Sequence, residues 1–223
     1  FIVQKLKVKN LIYCKKLIKQ YIKLMKTLII IIFILMSKSA FGEFFQDISS
    51  SIKNNSKRLS YGIAVTDFNK DGRFEFIVTG FRYPNLILSY KNGYLKNINK
   101  DELFADNNRA TIGVAACDID NDGFEELYFL NTDTYSGQKQ FSDRLLDNET
   151  NIIDLFQLDK NLKSLNLTAG RSVVCVDRNG KGIYGIYVAN YGGPTRFYEL
   201  IDGFIVDQAP LLNINKITGG RAV

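Results

Sequence analysis

The sequence predicts an all-β fold assembled from repeated four-stranded blades, and three observations predict it. One phrase recurs: Gly62 to Gly80 reads GIAVTDFNKDGRFEFIVTG, Gly113 to Asn131 reads GVAACDIDNDGFEELYFLN, and Gly170 opens GRSVVCVDRNGKGIYGIYVAN. Its first aspartates, Asp67, Asp118 and Asp177, lie 51 and 59 residues apart, and Gly220-Arg221-Ala222-Val223 restarts the Gly170 wording 50 residues on. A period near fifty marks a repeat architecture. Within each copy, an apolar run, an Asp/Asn/Gly segment and a second apolar run spell strand, turn, strand. Beyond that, two more short runs meet at Asn92-Gly93 in the first copy and at Asp202-Gly203 in the third, the strongest short hairpin signal. Four strands per fifty residues make a propeller blade, in which each sheet buries its faces against its neighbours.

Taken in order, the chain begins with a basic leader. Nine of its 29 Lys and Arg precede Glu43 and none of its 23 Asp and Glu do. From Glu43 onward acids outnumber bases, so the net charge of +6 belongs to the leader and supports no nucleic-acid partner. Met25-Lys26, the nine apolar residues Leu28 to Met36, and the small residues Ala40 and Gly42 describe a secretory signal over 25–42, cleaved before Glu43. A membrane anchor needs about twenty apolar residues, so no span is expected in the mature chain. Residues 1–24 contain no Met and read as upstream sequence joined to the true start.

Three blade-like repeats follow, at about 60–110, 111–168 and 169–218, with a fourth beginning at 219. In the first, GIAVTDF, FEFIVTGF, NLILSY and YLKNI are the four strands. In the second the outer turn falls near Asp147 to Glu149. In the third, Phe197 to Leu200 and Phe204 to Val206 flank the turn at Asp202-Gly203.

The segment between the first two strands carries the chemistry. A hard divalent cation takes six to eight oxygens in loose geometry, and carboxylates at positions one, three and five can all turn inward where glycine at position six allows a tight curl. The second copy places Asp118, Asp120, Asp122 and Gly123 there, with the Phe124 carbonyl at seven and Glu126 at nine. The first places Asp67, Asn69, Asp71, Gly72, Arg73 and Glu75 at the same positions. An EF-hand would need glutamate at position twelve and flanking helices, but twelve is Phe129 and the flanks are strand-like. Calcium is therefore expected at the first and second loops. The third keeps Asp177, Asn179 and Gly182 but has Lys181 at five and Gly185 at nine, which argues against metal.

Secretion would make the sequons at Asn54, Asn148 and Asn166 usable for glycosylation, with Asn148 at a predicted hairpin tip. The three cysteines supply no disulfide framework. Cys117 precedes its aspartate by one residue and Cys175 by two, so in equivalent strands they face opposite sides of the sheet and read as two small buried side chains. Arg171 and Arg221, each following a repeat glycine, either meet an acidic partner or pair with nearby carboxylates. The latter is the expectation. Tyr83, Tyr135 and Tyr191, in the loops after the second strands, are expected to pack locally rather than to line a ligand surface.

The stretches YGIAVTDFNKDGRFEFIVTG, IGVAACDIDNDGFEELYFLNT and AGRSVVCVDRNGKG resemble the FG-GAP or VCBS repeats of the integrin alpha-type β-propeller, and in particular the cartilage acidic protein family, from about Phe44 to Val223. The resemblance implies a secreted, calcium-binding matrix glycoprotein with a seven-bladed propeller, of which about three blades are present here. A chain stopping at the start of a fourth blade then reads as an N-terminal fragment. The expected function is non-catalytic binding or adhesion, with an extracellular matrix or cell-surface protein or glycan as partner. The alternative is the ectodomain start of an integrin alpha-like adhesion receptor. An enzyme is disfavoured: the sequence has no His, the commonest general base, and its carboxylates cluster where calcium would occupy them.

Overall fold

The computed structural model describes residues 18–32, 45–219 and 221, in two compact units, Phe1–Ile48 and Ser49–Val223. In the first, residues 18–32 form one helix, α1, exposed along its length. The proposed cleavage site at Gly42 and Glu43 lies outside the described residues. Among the described residues no helix is long and apolar enough to cross a membrane.

The second unit contains three four-stranded antiparallel sheets. Blade 1 holds β1 (Ile63–Thr66), β2 (Glu75–Val78), β3 (Leu86–Lys91) and β4 (Tyr94–Asn97) in that order, followed by a one-turn helix α2 (Glu102–Ala105). Blade 2 holds β5 (Thr111–Cys117), β6 (Glu126–Asn131), β7 (Arg144–Asp147) and β8 (Ile153–Asp154). Blade 3 holds β9 (Gly170–Val176), β10 (Gly185–Pro194), β11 (Arg196–Ile201) and β12 (Phe204–Asp207), and a short β13 (Ile217–Gly219) pairs with the far end of β10. The tight turns form where the sequence asked for them: Asn92 and Gly93 have φ of 54° and 83°, Asp202 and Gly203 of 51° and 77°. Positive φ at both central residues matches the strand twist of a two-residue hairpin.

Side-chain alternation explains why sheets stack into blades. All six residues of β6 are buried, because a middle sheet is covered on both faces. Leu127 and Phe129 point to blade 1 and meet Ile77, Ile87 and Phe104. Tyr128 and Leu130 point to blade 3 and meet Ile186, Val188 and Tyr198. Each such side chain contributes about 1.5–3 kcal/mol by leaving water. The rings interlock edge-to-face, Phe68 on Phe104 at 5.3 Å and Phe104 on Phe129 at 5.4 Å.

The same alternation corrects the reading of the cysteines. Cys117 and Cys175 form a disulfide with a Cα separation of 5.7 Å. They do lie on opposite faces of equivalent strands. Successive blades stack face to face, however, so the forward face of β5 meets the backward face of β9, and opposite faces are what brings the pair together.

A second feature repeats in all three blades. The last residue or so of each fourth strand is Asn97, Asp154 or Asp207, and its side-chain oxygen accepts the N–H of Ile87, Leu145 or Phe197 on the third strand. The residue before that N–H decides the charge. Arg144 and Arg196 pair with Asp154 and Asp207 at 2.9 and 2.7 Å, whereas blade 1 has Leu86 there and uses the neutral Asn97.

Between blades 2 and 3 lies a buried polar node. Asp143, fully buried, accepts from Tyr128 Oη at 2.7 Å, from the Asn131 N–H at 2.6 Å and from Asn166 Nδ2 at 2.6 Å, and it pairs with the buried Lys139. Burial holds the Lys139 ammonium below its ordinary pKa, opposed by Asp143.

Chain segments entering a blade also tie down the blade before. Arg82 donates to the Arg109 carbonyl, Thr111 to Gly80, Lys139 to Leu167 and Thr195 to Lys216, each with N···O of 3.0–3.2 Å. Tyr191, expected in a loop, is therefore strand: β10 runs on to Pro194 because β13 pairs with it, Tyr191 opposite Gly219.

Gly170, at the start of β9, has no room for a side chain: a Cβ there would meet Leu130 Cδ1 at 2.2 Å. Gly170→Ala is expected to cost about 1–3 kcal/mol through overpacking. Chemical denaturation would read this, and an unchanged midpoint would contradict it.

Candidate metal centre

The three loops between first and second strands share one backbone. Position four is left-handed in each, with φ of 59° at Lys70, 63° at Asn121 and 64° at Gly180, and so is position six, with 81° at Gly72, 92° at Gly123 and 77° at Gly182. That curl turns the position-one aspartate onto the loop: Asp67, Asp118 and Asp177 each accept the position-six N–H, at 2.8, 3.1 and 2.7 Å. What separates the loops is their side chains.

In the second loop the carboxylate oxygens of Asp118, Asp120 and Glu126 lie within 4.8 Å of one another. β5 ends at Cys117 and sets Asp118, while β6 begins at Glu126, so the strands fix both ends of the cluster. Glu126 is 2% exposed and accepts the Ile119 N–H at 2.9 Å. Burial, with smaller repulsion from Asp120, Asp147 and Asp122, raises its carboxyl to about 8. Desolvation also raises Asp120. One oxygen of Asp118, Oδ1, is buried without a hydrogen-bond partner, an arrangement that costs about 1–3 kcal/mol unless something satisfies it. A hard cation fits these residues: it would complete the orphaned oxygen and neutralise carboxylates that repel one another. Asp122 stands apart from the triad, with Oδ1 accepting the Phe124 N–H at 2.8 Å. Asp147, at the end of β7, adds charge from the neighbouring hairpin. The sequence reading missed it because it is 21 residues beyond Glu126.

In the first loop Asp67 accepts from Asp71 and Gly72, Asp71 from Arg73, and Glu75 from Asn69, whose Nδ2 reaches it at 3.3 Å. Asn69 thus offers its own amide hydrogens to Glu75, where the second loop has the carboxylate of Asp120. In the third loop Asp177 accepts from Asn179, Lys181 and Gly182, which hold its carboxyl below the usual range.

The first two loops are fastened to each other across the blade boundary. Thr66 Oγ1 bonds to Glu125, Lys70 Nζ sits 3.8 Å over the Phe124 ring and bonds to the Glu149 carbonyl, and Asn148 Nδ2 donates to the Phe68 carbonyl at 2.6 Å.

This repeat geometry has counterparts among known proteins. A family model described as an FG-GAP-like repeat matches residues 46–129. Cartilage acidic protein 1 of Xenopus tropicalis is 43% identical over 195 residues, covering 76% of this chain and 30% of the relative. Over this stretch the chain is similar to the cartilage acidic protein family. The proteins of the same name from Homo sapiens and Mus musculus are each 41% identical, over 197 and 195 residues. The chain thus spans 30% of the length of these curated relatives.

In this cartilage acidic protein-like chain the three sequons differ in access. Asn54 is exposed, and Asn148 is half-buried with Nδ2 engaged once. Asn166 is 0% exposed, and its Nδ2 donates to both Asp143 and Asn190. A glycan on Asn166 is incompatible with the folded blades, because that amide is buried with both of its donors engaged; the sequon pattern carries no information about burial. Arg171 also departs from expectation. It bonds to Thr132 Oγ1 and to the Gly170 and Tyr135 carbonyls rather than to a carboxylate, between the rings of Tyr135 and Tyr191.

Proposed function

We propose that this chain is the calcium-stiffened part of a secreted, non-catalytic matrix glycoprotein that binds a protein or glycan outside the cell. The observation that carries the reading is the cluster of Asp118, Asp120 and Glu126, with its orphaned buried oxygen on Asp118. Cation binding there would hold β5 to β6, and through Thr66, Lys70 and Asn148 would brace blade 1 against blade 2. A disulfide between blades suits an oxidising compartment, and the resemblance to cartilage acidic protein 1 suits the matrix. The absence of His from the sequence supports a binding role rather than acid–base chemistry.

Calorimetric titration with calcium, paired with melting in the presence and absence of chelator, tests this. A site with Kd on the order of 10⁻⁴ M gains about 2.7 kcal/mol at about 10 mM calcium. Asp118→Ala is expected to abolish that gain at the second loop and Asp67→Ala to reduce the gain at the first, while Asp177→Ala leaves the response intact. Equal losses from all three, or no calcium response from a folded chain, would sink the proposal.

A further inference from the structure

The blades end, opposite the acidic loops, in a cavity of 440 Å³ whose lining includes Tyr61, Phe81, Tyr135, Arg171, Tyr191 and Arg221. We propose that this cavity binds a carboxylated sugar, a uronic or sialic acid unit of a glycan.

Three features of the cavity point to that chemistry. Among the described residues the guanidinium of Arg171 is held in place by neutral groups: Nη1 donates to Thr132 Oγ1 at 2.8 Å and to the Gly170 carbonyl at 2.9 Å, and Nη2 to the Tyr135 carbonyl. Arg109, Arg144, Arg178 and Arg196 each meet a carboxylate, whereas among the described residues Arg171 meets none. An arginine is always charged and its fork matches a carboxylate, so a pre-ordered guanidinium lacking one is a receptor for one. Arg221 supplies a second cation in the lining.

The walls are aromatic. Arg171 lies 5.5 Å from the Tyr135 ring and 5.2 Å from that of Tyr191, the two rings meet edge-to-face at 5.4 Å, and Tyr61 meets Phe81 likewise at 5.7 Å. Tyrosines offer an apolar ring face beside a polar hydroxyl, which suits the C–H face and hydroxyls of a pyranose. The volume lies at the small end of ligand pockets, enough for one or two sugar rings.

The backbone argues against an acidic peptide. An extended peptide binds through free N–H and C=O groups at a strand edge, but four N–H groups and four carbonyls beside this cavity are engaged with one another. The Gly137 N–H donates to Tyr191, Tyr191 to Ala169, Ala169 to Gly137 and Thr132 to Ala110.

The test is to titrate the chain with free glucuronate, N-acetylneuraminate and glucose, and separately with a poly-glutamate peptide. Both acids are expected to bind, with glucose at least about 10-fold weaker. Arg171→Lys, which keeps the charge and loses the fork, is expected to weaken the acids about 10-fold, with melting and calcium response unchanged. Should that variant fold poorly, Tyr135→Ala serves instead: this side chain is 70% exposed, so its removal leaves the core intact and is expected to weaken both acids. Equal binding of glucose and glucuronate, no acid binding by a chain with native melting, or capture of poly-glutamate but neither acid would each overturn the proposal. It rests on the reading of the chain as an extracellular binding module, and the two fail separately: acid binding without a calcium response removes calcium only, and the reverse removes the sugar site only.

Discussion

Reduction of the Cys117–Cys175 bond is expected to destabilise the blades by about 4 kcal/mol, the loop-closure value for a cross-link spanning 58 residues. The bond closes a loop running through β6, β7 and β8 and into β9, so it restricts the unfolded chain far more than a hairpin staple would. Denaturation of the oxidised chain, the reduced chain and the Cys117→Ser/Cys175→Ser variant would measure it, the last two falling together below the first. Alkylation should find two more thiols after reduction than before. Identical midpoints with and without reductant would show that the sulfurs are not joined. A second readout follows from position: Cys117 directly precedes Asp118, so the double variant should also bind calcium more weakly if the second loop holds the ion.

An effect of similar size is expected at the polar node between blades 2 and 3. Asp143→Ala removes in one step the acceptor for Lys139, Tyr128, the Asn131 N–H and Asn166. Lys139 then stays buried without its paired carboxylate, a situation that costs about 3–5 kcal/mol. Removing both charges is less damaging than removing one, because a charge left behind is what the interior cannot solvate. Lys139→Met with Asp143→Asn is therefore expected to recover more than half of the loss in a denaturation series. If the double variant proves no better than Asp143→Ala, the lone charge is not the dominant cost.

These two features also show where sequence stops being informative. The blades could be read because each strand run, each Asn-Gly or Asp-Gly turn and each loop aspartate is local. The acidic cluster could be read for the same reason, all three of its members falling within nine residues. The disulfide, Asp143 and Asp147 could not. Cys117 and Cys175 lie on opposite faces, as their spacing implies, but what joins them is the stacking of one sheet on the next. Asp143 has no local pattern to betray it, since its partners come from three segments between Tyr128 and Asn166. Asn166 matched a sequon yet serves as a buried donor, and Arg171, expected to pair with a carboxylate, is held by carbonyls and a hydroxyl. The Asx residues at Asn97, Asp154 and Asp207 recur in every blade and could have been found by aligning the repeats through their fourth strands, with Leu86, Arg144 and Arg196 setting the charge.

The hydrogen bonds that tie each blade to the segment leading into the next have a bearing on synthesis. The far ends of β2 and β10 are completed by Arg109 and Thr111 and by Lys216 and Gly219, residues that leave the ribosome after the blade they finish. Each blade must therefore wait for the opening of its successor before its last bonds can form, and the Cys117 thiol waits longer still, for a partner 58 residues downstream. Assembly on the ribosome runs one repeat behind translation, and oxidation of the pair becomes a timestamp: it can occur only after blade 2 is fully emerged and β9 has begun to dock.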